Sequence, residues 1–220
     1  TLIDDLWDFS VQNESNQSQF YFLGSIVSFI NEQGENEIID GQQRLTTLFL
    51  LLRSIYEKLS EGETNQEQSY LLSQIKQVIF KLSPIDGGII KNQFLLTSRV
   101  IQEDERQPLH DLLSSGKAAA IDKADQYSKN YIHIRAVLDK KGNESPTHFN
   151  VFVRSIIKQT IVLPITADNQ DTALIIFETL NDRGLPLSDS DIFKAKIYNN
   201  ESEEKRQKFI QFWKNLDAEA

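Results

Sequence analysis

The stretch IIDGQQRLTTL at residues 38–48 decides the fold, because it joins the end of a short apolar strand directly to the start of a long helix. Downstream, apolar residues recur every three or four positions from Gln42 to Leu59, which predicts a mostly buried helix. Upstream, residues 20–30 (FYFLGSIVSFI) are rich in β-branched and aromatic side chains and end in the turn cluster 31–34. We therefore predict a strand hairpin that leads straight into the helix.

The rest of the chain is mainly helical by pattern. Residues 1–9 resemble the tail of a helix whose start is missing, and the polar run 10–19 indicates a loop. Strands are predicted at 89–96 and 160–165, with Pro164 placing the second near a sheet edge or a bulge. Periodic apolar residues predict further helices near 64–81, 98–114, 118–139, 146–158, 170–180, 189–198 and 202–217.

These elements predict an α+β fold with a small mixed sheet, a large helical insertion and C-terminal helices. We expect one domain over residues 1–220. Its core would comprise 1–60 and 159–200, the insertion 61–158, and 201–220 would begin a C-terminal helical region.

The composition of the chain argues against several classes of function. The 220 residues carry 23 Lys and Arg against 32 Asp and Glu, a net charge of −9, which argues against this chain gripping a nucleic-acid backbone by itself. No cysteine is present, so thiolate metal ligands and a thiol nucleophile are excluded. No run approaches the roughly 18 to 20 apolar residues of a membrane span, and we expect a cytoplasmic protein without a membrane partner. The lack of any methionine suggests a fragment of a longer protein.

The first motif is the helix start at residues 40–44. Helix N-termini offer N–H donors and a partial positive charge, so an anion bound there is stabilised. Gly41 permits close approach and Arg44 could add a bidentate contact to phosphate. The alternative is purely structural, with Asp40 as N-cap and Gln43 completing a capping box. Both interpretations stay open at this point.

The second motif is the stretch 176–194, which is predicted to contain the end of one helix, a turn at residues 181–184 and the start of the next helix. Ser188 and Asp191 form a capping-box pattern, so a structural role is the first explanation for these two residues. That scheme does not require Asn181, Arg183 or Lys194, and neighbouring carboxylates could hold Arg183 toward a ligand. A surface cluster of ion pairs is the simpler explanation for any single residue here.

Together, IIDGQQRLTTL at 38–48, YFLGSIV at 21–27 and FETLNDRGLPLSDSDIFK at 177–194 resemble the signature blocks of the N-terminal domain of the GmrSD-type restriction and phage-defence family. Two parts of the family pattern are absent: an upstream block with a Gln-Arg pair, and a C-terminal His-Asn-His nuclease domain. By type, Gly184 and Asp191 also match the family's second block.

The resemblance implies a ParB- or sulfiredoxin-like core that binds, and hydrolyses, a nucleoside triphosphate with Mg²⁺ as the regulatory domain of a restriction endonuclease. DNA would be a partner only through parts missing from this fragment, and a homo-oligomer is a further expectation. Carried over by position, the resemblance assigns catalytic roles to Asp40 and Gln43. It assigns nucleotide binding to Gly41, Gln42, Arg44, Asn181, Arg183 and Lys194.

Few other residues in the sequence suggest a metal or nucleotide site. His110, His133 and His148 lack the paired spacing of a metal site, so we predict no metal site built by protein ligands alone, and no P-loop is present. A ParB-like nuclease or DNA-binding module and a non-catalytic docking domain are the alternative functions. If the strands at 20–39 and 160–166 pair in one sheet, Arg183 or Lys194 could join Arg44 around one phosphate.

Overall fold

The computed structural model describes residues 1–16, 18–61, 65–97, 103–120 and 125–181, and these form seven helices and five strands. The helices are α1 (Leu2–Gln12), α2 (Gln42–Ser60), α3 (Gln66–Ile79), α4 (Glu103–Ser115), α5 (Gln126–Glu144), α6 (Pro146–Gln159) and α7 (Gln170–Asn181). The strands are β1 (Tyr21–Ile30), β2 (Asn36–Asp40), β3 (Phe80–Leu82), β4 (Ile89–Phe94) and β5 (Thr160–Ala167). The predicted α+β class is confirmed.

The main sheet has the strand order β2-β1-β5. β1 and β2 are antiparallel and joined by a tight turn, in which the Asn31 side chain accepts the N–H groups of Gln33 and Glu35. Gln159, just before β5, donates to carbonyls just before β1, and near the other ends of the two strands the Ser28 and Thr166 hydroxyls lie 3.4 Å apart. We infer that β1 and β5 run in the same direction, so the sheet is mixed.

The predicted pairing of the early and late strands in one sheet is therefore confirmed. β5 is an edge strand, which explains how it accommodates Pro164: a proline has no N–H to donate to a neighbouring strand.

The chain divides into two compact units. The first comprises residues 1–26 and 41–165, and the second comprises 27–40 and 166–220. In the first unit, α2 packs against α3 and α5, and α6 packs against α1, α3 and α5. In the second, α7 packs against β2. The core of the first unit is built from side chains at most 2% exposed, which include Leu6, Leu50, Leu51, Ile55, Leu71, Ile75, Ile79, Leu112, Leu113, Leu138, Phe152 and Val153.

A buried arginine, Arg53, links the middle of α2 to the end of α4 through a hydrogen bond. Arg53 is 4% exposed, donates from Nε to the Leu113 carbonyl at 2.7 Å and forms an ion pair with Glu57. Its guanidinium also lies 5.6 Å from the ring centroids of both Tyr56 and Phe80. These partners offset the desolvation of a charge that would otherwise be costly to bury.

Three element boundaries differ from the sequence predictions. α1 continues to Gln12 because Ser10, predicted to begin a loop, is buried and bonds the Trp7 carbonyl and the His148 ring. α5 begins at Gln126 rather than near 118, because Asp125 caps it through the Ser128 N–H. β3 was not predicted. The predicted helices at 189–198 and 202–217 lie outside the described residues.

Two glycines with almost the same backbone angle test the buried arginine cluster. Gly116 and Gly87 have φ of +66° and +65°, but a Cβ on Gly116 would lie 2.6 Å from Glu57 Cδ, whereas one on Gly87 would meet nothing within 4 Å. Gly87→Ala should cost about 1 kcal/mol for the left-handed conformation alone. Gly116→Ala should cost about 2 to 4 kcal/mol, because overpacking is added.

Urea denaturation of the two variants would measure both costs. Equal losses of unfolding free energy would contradict the packing that we assign to Gly116.

Candidate functional site at the start of helix α2

Gly41 allows the chain to turn directly from β2 into α2. It is the N-cap of α2, with φ +91° and ψ 8°, a left-handed conformation that side chains other than glycine rarely adopt. A Cβ at this position would also lie 3.0 Å from Ile26 Cγ1. Glycine is thus favoured at residue 41 by the backbone angle, and a side chain there would also crowd Ile26 of β1.

The capping-box alternative for this helix start is wrong. No side chain caps α2, and its first turn carries no acidic residue. The first helical hydrogen bond runs from the Leu45 N–H to the Gly41 carbonyl at 2.9 Å. No side-chain carboxylate within the first turn therefore offsets the positive end of the α2 dipole.

Arg44 ties this helix start to β1. Its Nη1 donates to the Ser25 carbonyl, and the side chain is half-buried. The guanidinium lies against Gly24, where a Cβ would come within 2.5 Å of Nη1. Gly24 also has φ +110°. Because Gly24 has no side chain, the backbone of β1 is accessible to the Arg44 guanidinium near the start of α2.

The other predicted site residues are placed as follows. Gln42 and Gln43 are exposed in the first turn of α2, and the Gln43 carbonyl accepts from the Thr47 hydroxyl at 2.8 Å. Asp40 is half-buried at the end of β2, and Asn181 is the last residue of α7. The positions of Arg183, Gly184, Asp191 and Lys194 lie outside the described residues, so a site shared by Arg44 and Arg183 stays a prediction.

Sequence reasoning missed Gly24 and Ser25 as parts of this site. The available signal was a glycine inside a strand otherwise rich in bulky residues, which often marks a close approach of another group to the backbone. Nothing in the sequence, however, says that the approaching group is the arginine 20 positions further on.

Two histidines take part in the packing of the first unit. His148 bonds the Ser10 hydroxyl at 3.0 Å and packs edge-on against Trp7, and His110 packs edge-on against Phe94. Among the described residues, no group of three or more His, Asp and Glu side chains is arranged to hold a metal ion. Nor does that part of the chain contain a helix of the length and apolarity that crossing a bilayer requires.

Comparison with known proteins gives the class of this domain. A family model described as GmrSD restriction endonuclease, N-terminal domain, matches residues 1–198. Since the match covers most of the 220 residues, the chain belongs to the GmrSD family and is assigned to a restriction or phage-defence protein. The search of curated proteins found no match.

The contact between Gly24 and Arg44 can be tested as an energetic coupling. Gly24→Ala should cost about 1 to 3 kcal/mol of unfolding free energy, from an unfavourable φ plus the displacement of the Arg44 guanidinium from its bond to the Ser25 carbonyl. In an Arg44→Ala background there is no guanidinium to displace, so the same change should cost about 1 kcal/mol less.

Urea denaturation of the four proteins in this cycle measures the coupling. Gly34→Ala is the control for the backbone angle, because Gly34 has φ +76° and a Cβ there would meet nothing within 4 Å. Strictly additive costs would show that the two residues do not interact.

Proposed function

We propose that the start of α2 binds the phosphates of a nucleoside triphosphate, and that the domain hydrolyses this nucleotide to regulate a restriction endonuclease. The observation that carries the proposal is the position of Arg44 at a helix N-terminus that no side chain caps. Membership of the GmrSD family supports the link to restriction.

Three kinds of group at this helix start favour an anion. The N–H groups of the first turn point away from the helix body, and the dipole adds a partial positive charge. Gly41 has no side chain to keep a phosphate away from the backbone. A guanidinium has five N–H donors in a fork, so its bond to the Ser25 carbonyl orients it and is compatible with an anionic partner.

Asp40 and Gln43 are the proposed catalytic residues, and Gln42 the further contact from the first turn. Gln43 is exposed on the helix, where its amide could orient a water molecule, and Asp40 directly precedes Gly41 in the chain. A single carboxylate fits a Mg²⁺ ion that is held largely by phosphates and water, as is usual for nucleotide-bound magnesium. Such an ion would neutralise charge on the phosphates when bound.

Asn181, Arg183 and Lys194 are proposed to complete the binding of the nucleotide. α7, which ends at Asn181, packs against β2, and β2 ends at Asp40. Nucleotide with Mg²⁺ should therefore raise the melting temperature, and Arg183→Ala should remove most of that rise. A rise that is unchanged in the Arg183→Ala protein would remove Arg183 from the site.

The main test is calorimetric titration with nucleoside triphosphate and Mg²⁺. Arg44→Ala should weaken binding by about 1.5 to 3 kcal/mol, roughly 10- to 150-fold, because a charge-assisted hydrogen bond to phosphate is lost. Arg154→Ala is the matched control: it removes an arginine from α6 that forms an ion pair with Glu67.

The wild type and the control variant should bind alike. Identical affinity of wild type and Arg44→Ala would refute the assignment of Arg44. Melting curves accompany the titration, because the loss of the bond to Ser25 should itself cost about 1 kcal/mol without unfolding the protein.

A second expectation separates this function from a nuclease. The chain should not cleave DNA with added Mg²⁺ or Mn²⁺, since the described residues contain no cluster of metal ligands. Cleavage by the purified chain, lost on substitution of a residue inside it, would favour a ParB-like nuclease instead. The assay is gel analysis of plasmid DNA.

A further inference from the structure

The hairpin β3–β4 presents an isoleucine almost completely to solvent. Ile85, which follows Pro84 at the tip, is 95% exposed, more than any other large apolar residue in the described part of the chain. A single exposed apolar side chain is ordinary on a protein surface. What distinguishes Ile85 is the number of hydrogen bonds that fix the turn beneath it.

The turn is held by its own backbone and by one lysine. Ser83 and Gly88 are paired through a hydrogen bond of 2.8 Å from the Ser83 N–H, and the Gly87 N–H donates to the Ser83 carbonyl at 2.9 Å. Lys76 of α3 donates to the Gly87 carbonyl at 2.7 Å. The tip is therefore pre-organised, which lowers the entropy that would be lost on contact with a partner.

The charge of this hairpin is opposite to that of the chain. Residues 80–94, which make up the hairpin, contain two lysines and one aspartate, 2 − 1 = +1, within a chain of net charge −9. Lys81 and Lys91 are exposed and have no carboxylate partner among the described residues. Asp86 is turned back onto the loop, where the Gly88 N–H and the Ser83 hydroxyl lower the pKa of its carboxyl.

Exposed amide side chains accompany the lysines. Asn92 and Gln93 are exposed on β4, and Asn92 has φ +58° in the interval where the pairing with β3 shifts register. Its carbonyl lies 3.3 Å from the His110 ring, which fixes this irregular part of the strand. The ribbon thus combines cationic groups for phosphate, amides for base edges and an apolar tip.

We infer that the β3–β4 hairpin contacts duplex DNA, with its lysines on phosphates and Ile85 with Pro84 against the bases. Two-stranded ribbons fit a DNA groove, and apolar side chains at the tips of DNA-binding elements wedge between base steps. DNA is favoured over a protein partner because the ribbon is cationic and the chain belongs to a restriction endonuclease family. The inference is independent of nucleotide binding at α2, and it replaces the expectation that DNA is contacted only through parts missing from this chain.

The contact should be weak and only moderately sensitive to salt. Two lysines on phosphates, Lys81 and Lys91, predict a slope of log K against log salt of about −1.8. Between 50 and 200 mM salt the dissociation constant should then rise about 12-fold, far less than for a protein with many phosphate contacts. This agrees with a chain whose overall charge repels DNA at longer range.

The test is fluorescence anisotropy of a labelled 20-base-pair duplex with the full chain over a series of salt concentrations. The double variant Lys81→Gln/Lys91→Gln should weaken binding at least fivefold at 50 mM salt and reduce the slope by about 1.8. The matched control is Lys129→Gln/Lys140→Gln, which removes two exposed lysines of α5 and changes the net charge equally. The control variant should bind within twofold of wild type.

The apolar tip is tested separately with 2-aminopurine in the duplex, whose fluorescence rises when its stacking is disturbed. Wild type and Ile85→Leu should raise the fluorescence, whereas Ile85→Ser should not, with the salt slope unchanged. Absence of measurable binding by wild type at 50 mM salt, or equal weakening by the two lysine pairs, would overturn the inference. Capture of a protein partner that is lost in Ile85→Ser while DNA binding is unaffected would also overturn it.

Discussion

The contact between Arg44 and the Gly24–Ser25 backbone is the constraint on which the site depends. A helix that begins directly after a strand can approach the neighbouring strand only if no side chain lies between them. Gly41 on the helix side and Gly24 on the strand side provide that space, and both have positive φ. The Arg44 guanidinium lies against Gly24 and bonds the Ser25 carbonyl, and the lack of a side chain at Gly41 lets the helix start lie close to Ile26.

Further along α2, other contacts fix the helix against α4 and α5. Seventeen positions after Gly41, Lys58 forms an ion pair with Asp139 of α5 at 2.7 Å, and in between Arg53 is buried against α4. Arg135 of α5 donates to the Ser54 carbonyl at 3.3 Å and pairs with Glu61. Because α2 is fixed at its start, middle and end, a displacement at its N-terminus cannot be absorbed by simple sliding of the helix.

The strand hairpin, α2 and β5 could be predicted, because local patterns determine them: turn residues at 31–34, apolar periodicity in 42–59 and a β-branched run at 160–165. The pairing of β1 with β5 was a hypothesis from the sequence and is shown by the strand order of the sheet. β3 could not be predicted, since its three residues are strand only through their pairing with β4. The group that contacts Gly24 could not be predicted for the same reason. It depends on where a distant arginine lies in space.

The net charge of the chain and the hydrogen-bond donors at one site affect a bound anion over different distances. At physiological salt, exposed charges are largely screened beyond about 8 Å, so most of the charges that make up the total of −9 have little effect on a group bound at one site. An anion held at α2 would meet N–H donors and a guanidinium within hydrogen-bond range, where the interaction is strongest. An acidic chain can therefore carry an anion site, provided that the site is confined to a few donors held by the fold rather than spread over a basic face.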